Sequence, residues 1–380
     1  MAKRKRRASG EGAVYYRKDE KRWVGSFFDD DGKRRYRSGK TQEEVLAKLQ
    51  KAKQEQREGT LVTGPQQTIK QYLEYWLENV CKPPALRLSS YVKYSKLIHS
   101  YIIPELGQIR LQKLTPQRVQ AFYRKKSEKL APKTVHSIHG VLHKSLDDAV
   151  RWNLLARNIC DLVKPPKIVK PEIQPLTMEQ ARTLLETARG QRLEDLIIVA
   201  ITTGVRRGEI LGLKWIDVDF ENSSIQIRRT LDYIAKYGGY IETEPKTAAG
   251  RRKITLPNFV VKALLHHRAQ QLDMRLQVGE KWEERGYVFT SLHGGRLNPR
   301  YLNKLFDKLL NEAGLPHMRF HDLRHSAATL LLSMGVHPKV VQEILGHSNI
   351  GMTMDTYSHV LPSMHKEAME KWDDEFGQKE

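Results

Sequence analysis

Residues 164–175 read KPPKIVKPEIQP, four prolines in twelve positions. Proline has no backbone donor and fixes φ near −65°, so neither a helix interior nor a central strand can run through such a stretch. It is an extended, semi-rigid linker. The chain on either side of it must therefore bury separate cores, and 380 residues agree with two or three domains.

Charge divides the chain at nearly the same place. Lys plus Arg number 65 against 44 Asp plus Glu, a formal net charge of +21. Residues 1–64 carry +8, residues 65–172 carry +11, and residues 173–380 only +2. The excess at the front is either solvated surface or a grip on a polyanion. A hydrophobic content of 39% supports packed cores and excludes wholesale disorder. No apolar run approaches the roughly 18 residues of a membrane span, and no apolar signal-peptide core follows the basic residues 3–7. Two cysteines, Cys81 and Cys160, exclude a disulfide framework and point to a reducing cytoplasm. No Cys/His spacing of the structural-zinc kind is present.

The expected architecture is multidomain. Residues 1–64, with a basic tail over 1–10, read as a small three-stranded sheet followed by a helix. Strands fall at 13–17 (AVYYR), 22–28 (RWVGSFF) and 33–38 (KRRYRS), with Asp30-Asp31-Gly32 as a tight turn. Thr41 with Glu44 three residues on makes a capping-box start for a helix to about Arg57. Basic and aromatic side chains interleave in these strands: Tyr15, Arg17, Arg22, Trp23, Arg34, Arg35, Tyr36 and Arg37. A basic sheet of this kind can enter a DNA major groove; packing of the aromatics on the helix is the plainer alternative. An anionic membrane is the weaker partner, because these groups lie on strands and not on an amphipathic anchor helix.

Residues 65–165 read as an all-helical basic domain. Ile69, Tyr72, Leu73, Trp76 and Leu77 share a helix face. Further amphipathic stretches cover about 89–101, 115–130 and 132–152, with Pro104, Pro116 and Pro132 near the breaks. The linker takes 166–175. Residues 176–380 are a mixed, mainly helical domain with a small sheet. Its helices begin near Thr177, 193, 259, 300, 325 and 338, its strands are 224–229 and 251–256, and residues 237–246 between them are turn-rich. A C-terminal helix over 363–376 offers Met364, Met369, Trp372 and Phe376 for packing, on a neighbouring protomer or on its own domain.

Four segments carry chemistry: TTGVRRGEILGL (202–213), TEPKTAAGRR (243–252), FHDLRHS (320–326) and LGHSNIGMTMDTYSH (345–359). Alone, each is weak. Together they suit phosphoryl transfer at a phosphodiester. Arginines pair bidentately with non-bridging oxygens, histidines move protons, a lysine can protonate a leaving alkoxide, and a tyrosine can form a covalent intermediate. No carboxylate cluster for magnesium lies near them and no G-x-x-x-x-G-K-[ST] loop is present, so neither a two-metal nuclease nor ATP is indicated, and no cofactor is expected.

The order TGVRRGE, EPKT, HDLRHS, LGHS and DTYSHV resembles the tyrosine recombinases, in particular the phage and integrative-element integrases. The resemblance spans essentially the whole chain and implies an arm-type DNA-binding unit, a helical (SAM-like) core-binding domain and a catalytic domain. It implies that Arg206 and Arg324 clamp the scissile phosphate, that Lys246 acts as general acid, and that His321 and His347 contact the phosphate and help to move protons. Tyr357 would attack phosphorus to leave a 3′-phosphotyrosyl bond. Glu209 would orient the site through hydrogen bonds; a helix-surface salt bridge to Arg206 or Arg207 is its alternative. Arg207, Arg251 and Arg252 read as non-catalytic phosphate contacts, and Lys93, Lys96 and Lys133 as DNA contacts on the helical domain. The implied partners are double-stranded DNA at core-type and arm-type sites, three further copies in a homotetrameric synapse, an excisionase-type directionality factor and a host DNA-bending protein. No membrane is implied; the setting is the cytoplasm of a bacterial host, at the nucleoid. A type IB topoisomerase-like relaxing enzyme and a non-catalytic DNA-binding protein are the competing readings.

Overall fold

The computed structural model describes residues 13–29, 32–58, 61, 66–169, 174–234, 239–245, 247–349 and 351, with 369, 372 and 376 near the C-terminus. The turn residues Asp30 and Asp31, Lys246, Tyr357 and Met364 lie outside the described residues. The chain divides into two compact units, Met1–Lys170 and Pro171–Glu380, so the boundary falls inside the proline-rich stretch.

The first unit opens with an antiparallel sheet in the order β1 (Val14–Arg17), β2 (Arg22–Phe28), β3 (Arg34–Gly39), followed by α1 (Gln42–Arg57). Thr41 accepts the Glu44 amide at 3.2 Å, as the capping motif requires. The Glu44 carboxylate, however, takes the amide of Lys40 at 2.8 Å, one residue earlier than the motif places it. Phe27, Val45, Leu49 and Ala52 form the small core between sheet and helix. Gly25 lets α1 come close, because a Cβ there would lie 2.5 Å from Leu49 and 2.7 Å from Val45.

Helices α2 (Ile69–Trp76), α3 (Leu88–Leu97), α4 (Ile103–Leu106), α5 (Pro116–Ser127) and α6 (Pro132–Arg151) enclose a second core. Pro104 does not break the helical path. A π-helical turn, Ile98–Ile102, joins α3 to α4. A proline cannot donate to the carbonyl four residues back and clashes with it, and a wider turn just before it accommodates both defects. Trp76 is fully buried, stacked on Tyr94 with ring centroids 6.0 Å apart, and donates its indole N–H to Asp148 at 2.7 Å. The start of the proline-rich stretch is tied to this domain. Lys164 and Gln120 exchange two hydrogen bonds of 3.4 Å, and His136 Nε2 lies 2.6 Å from the Pro166 carbonyl.

The second unit contains α7 (Met178–Ala188), α8 (Glu194–Thr203), α9 (Arg207–Leu211), β4 (Val218–Asp219), β5 (Ser224–Ile227), β6 (Thr230–Ile234), β7 (Gly239–Thr243), β8 (Arg252–Thr255), α10 (Asn258–Val278), α11 (Pro299–Glu312), α12 (Asp322–Ser333) and α13 (Pro338–Leu345). Thr177 and Gln180 cap α7 reciprocally. The apolar α8 runs through the core, packed by α7, α10 and α12. β4, β5 and β8 form one antiparallel sheet. Half of the stretch expected to be turns is instead a strand. β7 pairs with β6, Tyr233 meets Tyr240 edge-on at 5.1 Å, and Glu242 is held by Lys214 at 3.2 Å and by the Tyr287 hydroxyl. Among the described residues no helix is long and apolar enough to cross a membrane.

Replacing Asp148 by Ala leaves the Trp76 N–H buried without its acceptor. It should cost about 1–3 kcal/mol of local stability, read as hydrogen-exchange opening energies of α2 and α6. The same change in a Trp76→Phe background should cost much less, since no donor remains.

Candidate active site and basic sheet

Two glycines in left-handed conformation bring the site together. Gly204 ends α8 at φ +60°, its amide donating to Ala200 at 3.0 Å, and Gly346 ends α13 at φ +68°. At α13 the Gly346 amide reaches Glu343 at 3.1 Å and the His347 amide reaches Gln342 at 3.1 Å, a Schellman closure. Both positions are also sterically closed. A Cβ on Gly204 would lie 2.3 Å from Leu345, and one on Gly346 would lie 2.6 Å from the Ala249 carbonyl. The two turns exchange partners with the two arginines. Arg324 Nη1 donates to the Gly204 carbonyl at 2.8 Å, and Arg206 Nη2 donates to the Gly346 carbonyl at 3.2 Å.

Arg206 precedes α9, and Glu209 reaches back to it at two points: Nη1 to Oε1 at 2.6 Å and the backbone N–H to Oε2 at 3.0 Å. Glu209 is 2% exposed, so a surface salt bridge is the wrong picture for it. Burial would raise its carboxyl, but Arg252 and then Arg206 outweigh that and hold it below the ordinary carboxylate range. Arg206 keeps about a third of its side chain open (36%), which leaves it an outward edge.

Arg324, on the first turn of α12, is 4% exposed, and His347 is 8% exposed. Burial, then Arg324, Arg206, His325 and Arg252, push His347 down to about 4. His321 lies at the start of α12, its ring 5.9 Å from His325, and desolvation together with Arg324, His325 and Arg206 depresses it as well. Both imidazoles are therefore neutral at neutral pH, held so first by burial and then by the positive groups beside them. Arg206, His321, Arg324 and His347 thus form one cluster drawn from three separate segments. Lys246 and Tyr357 lie outside the described residues, between Pro245 and Thr247 and beyond Gly351 respectively.

The three arginines expected to meet phosphate divide. Arg207 and Arg251 are exposed, with Arg207 on Asn303 at 3.2 Å and Arg251 ion-paired with Glu244. Arg252 departs from the expectation. It is 8% exposed, and all its guanidinium nitrogens face protein: Nη2 on Glu209 at 3.0 Å, Nε on the Ile344 carbonyl at 2.6 Å and Nη1 on the Gly250 carbonyl at 3.2 Å. Its neighbour Arg251, just before β8, carries the same side chain and is exposed.

Alternation sorts the N-terminal sheet in the same way. Directly paired residues point to one face, and Gly25, against α1, pairs with Val14 and Arg37. Arg35 and Arg37 therefore project on the helix side, where Arg35 bonds the buried Asp29 at 2.7 Å and Arg37 lies over Phe27 at 5.3 Å. Both had been expected to contact DNA; their register takes them off the open face. Tyr15, Arg17, Arg22, Arg34 and Tyr36 share the opposite face. There Arg34 bonds Ser26 at 3.2 Å, and Arg17 pairs with Glu20. On the helical domain Lys93, Lys96 and Lys133 are all exposed, the first two one turn apart on α3.

Alanine at Gly204 should strain the αL turn and displace Leu345, costing about 1–3 kcal/mol and slowing strand cleavage by about 10²-fold as Arg324 and α13 shift. Gly190→Ala is the control, since its φ is also positive, +71°, but nothing lies within 4 Å of the added methyl. Equal effects of the two substitutions would show that backbone strain alone, and not the fit against Leu345, governs the site.

The pattern described as the phage integrase family matches residues 174–364, and that described as the phage integrase N-terminal SAM-like domain matches residues 68–127. The chain is similar to a XerC-like tyrosine recombinase of Caldanaerobacter subterraneus subsp. tengcongensis, 32% identical over 369 residues covering 92% of this chain and 94% of the relative. It is similar to the ICEBs1 integrase of Bacillus subtilis, 26% identical with 75% and 77% covered. The solved Tn1549 transposon integrase, in complex with transposon right-end DNA, shares the fold at a TM-score of 0.67 and 24% identity, over 80% of this chain and 99% of its own. The chain, which assembles two arginines and two neutral histidines from three segments, belongs to the phage integrase family of tyrosine recombinases and is a DNA recombinase.

Proposed function

We propose that this recombinase integrates and excises a mobile element by cutting and rejoining DNA at specific sites through a tyrosyl-linked intermediate. The observation that carries the reading is the cluster itself. Arg206 and Arg324 are each fixed by a helix-terminal glycine carbonyl, beside two histidines that burial and positive neighbours hold neutral. With two arginines against one carboxylate, Glu209, such a cluster suits a further anion. The names of the relatives, an ICEBs1 integrase and a Tn1549 transposon integrase, favour a mobile element as the DNA it acts on.

In this mechanism the two arginines hold the non-bridging oxygens of the scissile phosphate and stabilise the charge that builds there. The Tyr357 phenol oxygen attacks phosphorus and gives up its proton. The bond from phosphorus to the 5′ oxygen breaks, and Lys246 supplies the proton that the departing oxygen needs. His321 and His347, neutral before DNA binds, accept or relay protons as the phosphate's charge raises their basicity. A 3′-phosphotyrosine results, and the 5′ hydroxyl of a second strand reverses the step. The bond energy is conserved throughout, so no nucleotide is consumed. Exchange between two duplexes breaks four strands, which calls for four tyrosines and hence a tetramer on the DNA. In this reading 1–64 binds arm-type sites, 65–165 grips the core site, 176–380 performs the chemistry, and the C-terminal helix, with Met369, Trp372 and Phe376 exposed, docks on a neighbouring protomer. A directionality factor and a host DNA-bending protein would select between integration and excision.

A suicide duplex, nicked so that the cleaved end diffuses away, should give a covalent protein–DNA band with the unaltered chain, with magnesium chelated and no ATP. Tyr357→Phe should bind the duplex and give no band; residual linkage would remove Tyr357 as nucleophile. Lys246→Ala should slow cleavage far more on ordinary DNA than on DNA with a better 5′ leaving group. For the sheet, Arg22→Ala and Arg34→Ala should each lower DNA affinity and reduce the slope of log K against log salt by about 1. Arg35→Ala and Arg37→Ala should leave that slope unchanged; the opposite pattern would place the DNA on the helix side.

A further inference from the structure

Three elements converge on the buried guanidinium of Arg252. It bonds Glu209 of α9, the Ile344 carbonyl near the end of α13, and the Gly250 carbonyl of the loop that follows Lys246. Glu209 in turn holds Arg206 at both its backbone and its guanidinium. Gly346, whose carbonyl receives Arg206 and which precedes His347, packs on the Arg252 side chain so closely that a Cβ would lie 2.9 Å from Cδ and 3.0 Å from Nη1. Arg252 therefore stands behind Arg206 on one side and behind His347 on the other, with its own loop leading back to Lys246.

Resting on the reading of this cluster as a phosphodiester-transfer centre, we propose that Arg252 is a positioning residue that locks α9, the 247–250 loop and the α13–His347 turn into one frame before DNA arrives. A phosphate contact does not suit it, because each of its guanidinium nitrogens already donates to a protein acceptor. A role in stability alone accounts poorly for its partners, since a buried ion pair adds little net stability over an apolar replacement. Its three acceptors lie on the three segments that carry Arg206, His347 and the approach to Lys246.

The electrostatics supply a signature that a merely structural role lacks. The charged groups acting on Glu209 are Arg252 and Arg206; Arg252 is acted on by Glu209 and Arg206, and His347 by Arg324, Arg206, His325 and Arg252. With Arg252 in place, Glu209 stays a carboxylate. Without it, burial dominates and the carboxyl rises, so Glu209 takes up a proton as pH falls. A protonated Glu209 loses its charged grip on Arg206, so activity disappears toward acid pH and persists toward alkaline pH.

The experiment uses the full chain and nicked duplexes with a randomised core segment; covalently captured molecules are sequenced and the winning duplex is used throughout. If the unaltered chain captures none, the reading of the site fails and the proposal falls with it. If it does capture DNA, Arg252→Lys, which keeps the charge but not the fork of donors, should cleave about 10²-fold more slowly at unchanged affinity. Arg252→Met should also gain an acid limb in its rate profile between about pH 5 and 8, and adding Glu209→Gln should abolish that limb. Three outcomes overturn the proposal: an unaltered rate in Arg252→Lys, a loss of affinity that matches the loss of rate, or an Arg252→Met profile parallel to that of the unaltered chain. Should Arg252→Met fail to fold, Arg252→Lys decides alone through its split between rate and affinity.

Discussion

A carboxylate buried to 2% between two guanidiniums organises the catalytic unit. Glu209 on its own in that position would be expensive to ionise, and either arginine on its own would be a buried or half-buried charge without a counterion. Paired, the three groups carry a net charge of +1, and both carboxylate oxygens of Glu209 are taken, one by Arg206 and one by Arg252. Breaking such a set costs about 3–5 kcal/mol because a charge is left stranded. The arrangement therefore contributes less to stability than to geometry: it makes the outward edge of Arg206 a fixed feature of the surface.

The helix ends extend this order to the second arginine. α8 and α13 finish in αL glycines, and each glycine carbonyl lies at the negative end of its helix. Each carbonyl is taken by an arginine from another segment, Gly204 by Arg324 and Gly346 by Arg206. The glycines serve twice, once for the positive φ and once because Leu345 and the Ala249 carbonyl leave no space for a Cβ. Burial, and then the positive groups gathered in this way, disfavour protons on His321 and His347. In the proposed reaction, a phosphate entering the cluster would offset the charge-repulsion part of that shift.

In the N-terminal sheet, period-two alternation does the sorting. Basic residues at 34, 35 and 37 look alike in the sequence, yet Arg34 shares a face with Tyr15 and Arg22 while Arg35 and Arg37 turn toward α1. Arg35 serves the loop through the buried Asp29, and Arg37 covers Phe27. Arg252 at the start of β8 and Arg251 just before it also differ, the first buried and the second exposed. A basic side chain in a strand is committed to one face, and adjacent positions have opposite fates.

Much of this was legible in the linear chain because it depends on local forces. Proline density marked the boundary near 170, helix periodicity and caps located α1, α7, α11 and α13, and the motif order brought Arg206, His321, Arg324 and His347 to notice before any fold was known. The hairpin of β6 and β7 was not legible, because its strands are secured by Lys214 and Tyr287 from elsewhere in the chain. The role of Arg252 was not legible either, because its partners lie 43 and 92 residues away. The sequence by itself determined which chemical groups are present and which segments carry them, since residue type and local periodicity are properties of neighbours along the chain. Only the tertiary structure decided which of those groups face solvent and which hold the others in place, since burial and pairing depend on what distant segments bring alongside.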